Sequence, residues 1–498
     1  MRIRRPQVCL SAVIVALLAA AISAVTSASA SELDRIETIV VIYAENRSFD
    51  NLYGLFPNAE GLSQALKDPK LYQQTDNDGA VLRQLPRVWK DEKLLFPAGL
   101  ANRPFRIDKI LGQGLGVATR DLVHKFYQNK EQIDGGRNDR FAAVSDAGAL
   151  TMGYYDGSKL AMWPIAREYT LADHFFMGAF GGSFLNHFWL VCACTPRFEH
   201  PPKEMVAAVD EQTGLLKRSD CSPRSVLDGQ PVWVADGSVT PDGYAVNTIQ
   251  PPFQPSGIEP APGGDVRIAN PAPQDPSKTP LPAQTLPTIG DRLSDKHIDW
   301  AWYAEDWNAA LADRKNIYGK DSRGLHAHHQ PFNYFRRFDP TTPEGAAERR
   351  AHLKDGEDFT RDISSGRLPP VSFYKPGGTH NEHPGYTDVE SGDLHIADLV
   401  RQLERSPQWK AMLVIVTYDE NGGFWDHVRP PDGDPWGPGS RIPAIIVSPF
   451  AKRHHVDSTV YDTTSILKLI TRRFDLEPLP GVRESVGDFT AALAAPPS

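Results

Sequence analysis

The chain has only four cysteines among 498 residues. That is too few for a disulfide-built scaffold, and none has the spacing of a zinc site. Neither sign of charge dominates: 53 Lys and Arg face 62 Asp and Glu, a formal net charge of -9. This balance argues against nucleic acid or an anionic membrane surface as a partner. No long apolar run follows the N-terminus, so no stable membrane insertion is expected. Internal repeats and low-complexity tails are also missing. The remaining composition is that of an ordinary globular protein, long enough to bury a sizeable core.

The first thirty residues read as an export signal. Arg2, Arg4 and Arg5 form a basic start, Val8 to Val25 an apolar stretch, and Ala28-Ser29-Ala30 a small-residue cleavage site. Arg4-Arg5 is a candidate twin-arginine pair, although Pro6 and Gln7 fit that pattern poorly. Loss of the three arginines takes the net charge from -9 to -12. A periplasmic or secreted location follows, which exposes the cysteines to an oxidising compartment. Cys9 leaves with the signal. If Phe188 to Cys194 is a strand, Cys192 and Cys194 share a face and either can pair with Cys221. The Cys194–Cys221 pair is the preferred reading.

Two apolar runs end in the same chemistry. Thr38 to Ala44 runs into Glu45-Asn46, and Met412 to Tyr418 runs into Asp419-Glu420-Asn421. Both are short and rich in β-branched residues, so both read as strands buried on two faces of a parallel sheet. Ligands of such sheets bind outside the carboxyl ends of the strands. A short helix capped by Ser48 or Asp50 is expected next, with further helices at 159–167, 288–295, 307–312, 394–404 and 464–474. Additional strands are expected at 298–303 and 441–448. The alternation indicates one α/β domain over 31–498, crossed by a proline-rich excursion at about 241–287.

Carboxylate and amide oxygens are hard ligands for divalent cations. Either Glu45-Asn46 or Asp419-Glu420 alone is more simply a helix cap or turn; two such pairs at the ends of two buried strands favour a site. Gly181-Gly182-Ser183 permits a tight backbone approach. If a helix begins there, Ser183 stands at an anion-favouring N-terminus, where a metal or base can make its hydroxyl a nucleophile. Leu185 stands where an esterase elbow needs glycine, which disfavours a serine-histidine-aspartate hydrolase. His124, His174, His187, His326, His328, His329, His380, His383 and His427 sit among polar or glycine-rich neighbours. Two or three of them are expected to serve the chemistry, as metal ligands, donors to phosphate oxygens or proton donors to a leaving group.

Together, Ala44 to Asp50, Gly182-Ser183 to Asn186-His187, and Asp419-Glu420 followed by Gly422 to His427 resemble the bacterial phosphoesterase family. That family holds acid phosphatases of the A group and phospholipases C. The resemblance runs from about Glu37 to Phe474. It implies an alkaline-phosphatase-like α/β fold, a mixed, mostly parallel sheet sandwiched between helices. It also implies Ser183 as the nucleophile, and a divalent metal, identity open, held by Glu45, Asn46, Ser183, Asp419 and Glu420. His124 and His383 match the family's phosphate-contacting histidines, and one of His328 and His329 matches a third. Serine at position 183 resembles the acid phosphatase branch, so hydrolysis of phosphate monoesters through a phosphoserine is the expected activity. The alternatives are a phospholipase C-type phosphodiesterase and a non-catalytic exported binding protein.

Overall fold

The computed structural model describes residues 32–89, 94–112 and 114–495. The proposed export signal at 1–30 therefore lies outside the described residues. Eight strands form one sheet: β1 (Thr38–Ala44), β2 (Thr170–Ala172), β3 (Trp300–Ala304), β4 (Leu353–Asp355), β5 (Val371–Lys375), β6 (Met412–Tyr418), β7 (Ala444–Val447) and β8 (His455–Asp457). Their order is β8-β2-β7-β6-β1-β5-β3-β4. Only β7 runs against its neighbours β6 and β2; the other pairings are parallel.

The central strands are built for this place. Every residue of β1 and β6 is buried, and Val and Ile dominate both, since branched side chains pack well on a pleat covered on both faces. Two sets of helices flank the sheet, each packed within itself. One set is α1 (Met162–Glu168), α3 (Gly356–Ser365) and α4 (Val389–Arg405); the other includes α2 (Ser183–Cys192) and α5 (Thr463–Arg473). This is the mixed, mostly parallel sheet between helices that the family resemblance implies.

Register matters more than strand identity here. Thr38 pairs with Met412 and Ala44 with Tyr418, so β1 and β6 end at the same height. Ile42 pairs with Tyr374 on the other side, so β5 ends beside them. Three strands thus deliver their next residues to one edge.

Some expectations change. Phe188 to Cys194 is not a strand: α2 continues to Cys192, and Ala193 takes a left-handed conformation (φ 46°) that reverses the chain. The reversal brings Cys194 back to Cys192, with which it forms the disulfide across a Cα–Cα distance of 5.1 Å. Cys221 is free and exposed, so the preferred Cys194–Cys221 pairing is overturned. The strand expected at 441–448 is shorter (Ala444–Val447), and Arg441 points instead into a buried ion-pair network. Residues 241–287 contain no α-helix and no strand of the sheet. Val246, Asn247 and Thr248 from this stretch help to wall the main cavity.

Candidate active site

The parallel ends of β1 and β6 are tied directly to one another. The Asn46 amide donates to Asp419 Oδ1 at 3.0 Å, and the Arg47 amide to the Glu420 carbonyl at 3.0 Å. Asn46 adopts φ 62°, and Gly422 packs so closely that a Cβ there would lie 2.3 Å from the Asn46 carbonyl oxygen. The two signature loops therefore form one surface, and Asn46 uses its unusual backbone angle to turn its side chain across it.

Ser183 reaches this surface from the start of α2. Gly182 precedes the helix and no side chain caps it. The turn is held by Asn186, whose Oδ1 accepts from the Ala179 amide at 2.9 Å while Nδ2 donates to the Ala179 and Gly182 carbonyls. A Cβ on Gly181 would lie 2.4 Å from the Phe126 nitrogen, and one on Gly182 2.5 Å from the His124 carbonyl oxygen. The glycine pair is what lets the serine turn sit against the His124 segment. Ser183 Oγ donates to Asn46 Oδ1 at 3.3 Å.

Charge in this cluster is uneven. Glu45 Oε1 meets Lys375 Nζ, the last residue of β5, at 2.7 Å, and also contacts His329 Nε2. Its other oxygen accepts from Asn381 Nδ2 at 3.1 Å and Tyr386 OH at 3.2 Å. Burial pushes Glu45 up, but Lys375 and His329 outweigh it and hold the carboxyl well below its usual range. Asp419 and Glu420 are different. Asp419 Oδ2 and Glu420 Oε1 are buried without a hydrogen-bond partner. Burial raises Asp419 to about 6 despite Lys375, with Glu45 adding to the rise. Burial likewise raises Glu420 well above its usual range, opposed by His124.

Histidines complete the wall. His124 Nε2 lies 3.8 Å from Glu420 Oε1, and its Nδ1 is 2.6 Å from the Leu122 carbonyl oxygen and 3.5 Å from Asp121. Burial opposes its charge, yet Glu420 and Asp121 raise it to about 9. His383 stacks on Tyr386 and meets His124 edge-on at 5.6 Å between ring centres. Burial and the neighbouring His124 lower its pKa. The adjacent histidines divide the work: His328 faces the cavity, whereas His329 turns to Glu45. Burial lowers His329 to about 4 and His328 well below the usual value. A cavity of about 750 Å³ opens over Ser183, lined by His124, His328, His383, Trp233 and Tyr386 among others.

Every proposed site residue therefore gathers at one sheet edge. His174 and His427 do not; they line a separate cavity, while His380 pairs with Glu305. His187 lies beneath the site, with Nδ1 2.7 Å from the Ser183 carbonyl oxygen. Sequence reading missed Lys375, Asn381 and Tyr386. A weaker signal for Lys375 was present: Val371 to Tyr374 is a short, mostly apolar run, broken by Ser372, that ends in a charged residue.

The residues suit a hard divalent ion. Two buried, unpartnered carboxylate oxygens face a neutral amide and a hydroxyl, and three carboxylates (Glu45, Asp419, Glu420) face two cations (Lys375 and His124). Glu45, already paired with Lys375, is the weakest candidate ligand of the set.

A family model described as the Phosphoesterase family matches residues 36–477. The chain belongs to the phosphoesterase family. As a phosphoesterase it is a hydrolase of phosphoric ester bonds. Among curated proteins it is similar to phospholipase C B of Mycobacterium tuberculosis, 25% identical over 94% of this chain and 79% of the relative. It is also similar to a non-hemolytic phospholipase C of Burkholderia pseudomallei, 23% identical over 92% of this chain and 59% of that protein. Among solved structures, PsFucS1 sulfatase from Pseudoalteromonas sp. aligns over 94% of this phosphoesterase and 76% of its own chain, at 10% identity and a TM-score of 0.35. A protein of the alkaline phosphatase superfamily from Vibrio parahaemolyticus aligns over 69% and 66%, at 9% identity and a TM-score of 0.32.

Proposed function

We propose that this phosphoesterase cleaves phosphodiesters of the phospholipid-headgroup type, with Ser183 as nucleophile. The carrying observation is the cavity over Ser183: at about 750 Å³ it is far roomier than a phosphate needs. Its walls add Trp233, Phe184, Val246 and Tyr318 to the polar floor. The relatives that align over nearly the whole chain carry the name phospholipase C, which supports the diester reading over the monoester expected from sequence. Phosphate monoesters are the second reading, favoured by serine rather than threonine at position 183.

In the first step Ser183 Oγ forms a bond to phosphorus as the bond to the leaving alcohol breaks. Asn46 Oδ1, already 3.3 Å away, orients the hydroxyl, and Asp419 accepts its proton. His124 carries a proton at neutral pH and supplies charge to the phosphoryl oxygens or a proton to the departing oxygen. His328 and His383, neutral in their burial, donate hydrogen bonds to the same group. Water then attacks phosphorus, the P–Oγ bond breaks, and Ser183 recovers its proton. A divalent ion held by Asp419, Glu420, Asn46 and Ser183 would supply Lewis-acid stabilisation of the developing charge.

The test is phosphorus release from phosphatidylcholine, other phospholipids and an aryl phosphate monoester, each run with chelator and again with divalent metals restored. The diester reading expects headgroup release to exceed monoester turnover. Faster monoester turnover would transfer the assignment to the second reading, and no turnover of either would end both. Export, inferred from residues 1–30, belongs to the same proposal; among the described residues no helix is long and apolar enough to cross a membrane.

A further inference from the structure

A second cluster of ligating side chains lies at the same sheet edge, outside the Ser183 cavity. Glu305 follows the end of β3, His380 stands in the loop after β5, and His395 projects from α4. Glu305 Oε2 is 3.3 Å from His380 Nδ1, and Glu305 Oε1 is 3.6 Å from His395 Nε2. One ligand atom from each residue lies within 4.8 Å of those from the others. The imidazoles lie face to face, 4.6 Å between ring centres. Their side chains are 22%, 44% and 21% exposed, so a small ion and its water can enter.

The geometry points to a site for a zinc-type divalent ion held by Glu305, His380 and His395. Two imidazoles and a carboxylate with an open fourth position form a donor set that zinc accepts. With bonds near 2.0–2.1 Å, a tetrahedral ion needs ligand atoms about 3.3–3.5 Å apart. The two Glu305 oxygens reach one imidazole each, at 3.3 Å and 3.6 Å, and small side-chain adjustments bring three ligand atoms now within 4.8 Å to that spacing. The surroundings supply an outer contact such a site uses. The Gly377 amide donates to Glu305 Oε2 at 2.7 Å, whereas Tyr374 OH, 2.7 Å from His395 Nε2, and Thr379 Oγ1, 3.1 Å from His380 Nδ1, occupy the ligating nitrogens and give way when an ion binds. Asp306 adds a nearby carboxylate: a Cβ on Gly377 would lie 2.9 Å from its Oδ2 and 3.1 Å from Glu305 Oε2. Only glycine leaves that space open.

The ion would join three elements that otherwise meet through hydrogen bonds. It would also anchor the loop whose next residues serve the catalytic site. Asn381 donates to Glu45, the Glu382 carbonyl accepts from Arg47, and His383 lines the cavity. The inference does not depend on which phosphoester is cleaved.

The experiment uses the full chain carrying Asp419→Asn and Glu420→Gln, which removes the two strand-end carboxylates not held by Lys375, stripped with chelator and loaded with Co2+. The expected result is a bound Co2+ equivalent with the strong visible absorption of a four-coordinate site. Adding Glu305→Gln and His395→Gln should remove one equivalent and that absorption. As a milder change, His380→Asn alone should weaken Co2+ binding by about tenfold or more with an unchanged thermal melt in chelator. Equal Co2+ content and equal spectra with and without Glu305 and His395, or unaltered affinity in His380→Asn, would overturn the assignment.

Discussion

The two signature loops together build two buried charge clusters, and the pair differ in how their carboxylates are paired. Just beyond Glu45-Asn46 lies Asp50, and just beyond Asp419-Glu420 lie Asp426 and His427. In this second cluster every carboxylate oxygen is satisfied. Asp50 Oδ1 accepts from Arg441 at 3.2 Å, and Oδ2 from the His427 amide at 2.8 Å and its ring Nδ1 at 2.7 Å. Asp426 Oδ1 accepts from Arg441 Nε at 3.0 Å and the Val428 amide at 2.9 Å, and Oδ2 from the Asp50 amide at 2.9 Å. The first cluster, a few residues back, leaves Asp419 Oδ2 and Glu420 Oε1 without partners. Two networks of similar depth thus differ in their carboxylates: in the second all are paired and only His427 Nε2 is buried without a partner. Paired carboxylates hold the loops together, whereas unpaired ones store unmet electrostatic demand that a cation can satisfy.

Breaking each cluster should separate chemistry from stability. The largest effect is expected from Ser183→Ala: turnover should fall by about 10³-fold or more, with the melting temperature little changed. Substantial residual activity would remove Ser183 from its role. Next come Lys375→Met and Arg441→Met. Each strands buried carboxylates, at a cost of about 3–5 kcal/mol, visible in denaturant melts. Only Lys375→Met should also collapse kcat per folded molecule, since Lys375 balances Glu45 beneath the nucleophile. Equal catalytic losses in the two would show that the clusters are not functionally distinct.

A smaller effect is pH-dependent. His124 is raised to about 9 in the folded chain by Glu420 and Asp121, against burial, from an ordinary value near 6.5. A raised histidine adds stability that is complete below about 6.5 and is lost as pH climbs through about 9. Activity relying on the imidazolium should fall over the same alkaline limb. His124→Asn should flatten both profiles, as read by kcat/KM and melting temperature across pH 6–10 (an assay range of about four units). An alkaline limb that survives in His124→Asn would assign it to another group. A smaller change again is expected from Gly182→Ala. Its methyl would press on the His124 carbonyl, displacing Ser183 with a loss of about 1–3 kcal/mol and a partial drop in kcat. The equivalent Gly79→Ala meets no atom within 4 Å, but its φ of 81° limits the effect there to backbone strain of about 1 kcal/mol.

Much of this site was legible before any coordinates. The β1 and β6 runs could be read as buried strands because β-branched residues without alternation leave few other folds. Helices at 288–295 and 307–312 were readable too: Thr288 does cap the first, and Trp307–Ala312 is the second. The cysteine pairing was not, because it turns on one left-handed residue, Ala193, that ends α2 and folds Cys194 back. Lys375 was overlooked because Ser372 breaks the apolar run that leads to it. The roles of His328 and His329 also escaped sequence reading, since adjacent residues in a tight turn point to different sides.

By itself the sequence determined which residues would reach a strand end carrying oxygen ligands, a hydroxyl behind two glycines, and a set of histidines. Local rules suffice for that, because period, branching and turn chemistry act over a few residues. Only the tertiary structure decided which of those groups have partners. The charge on Glu45 is answered by Lys375, 330 positions away in sequence, while Asp419 and Glu420 each keep a buried oxygen without a hydrogen-bond partner. Burial makes that distinction chemical, since an unmet carboxylate oxygen is cheap in water and costly in a closed core.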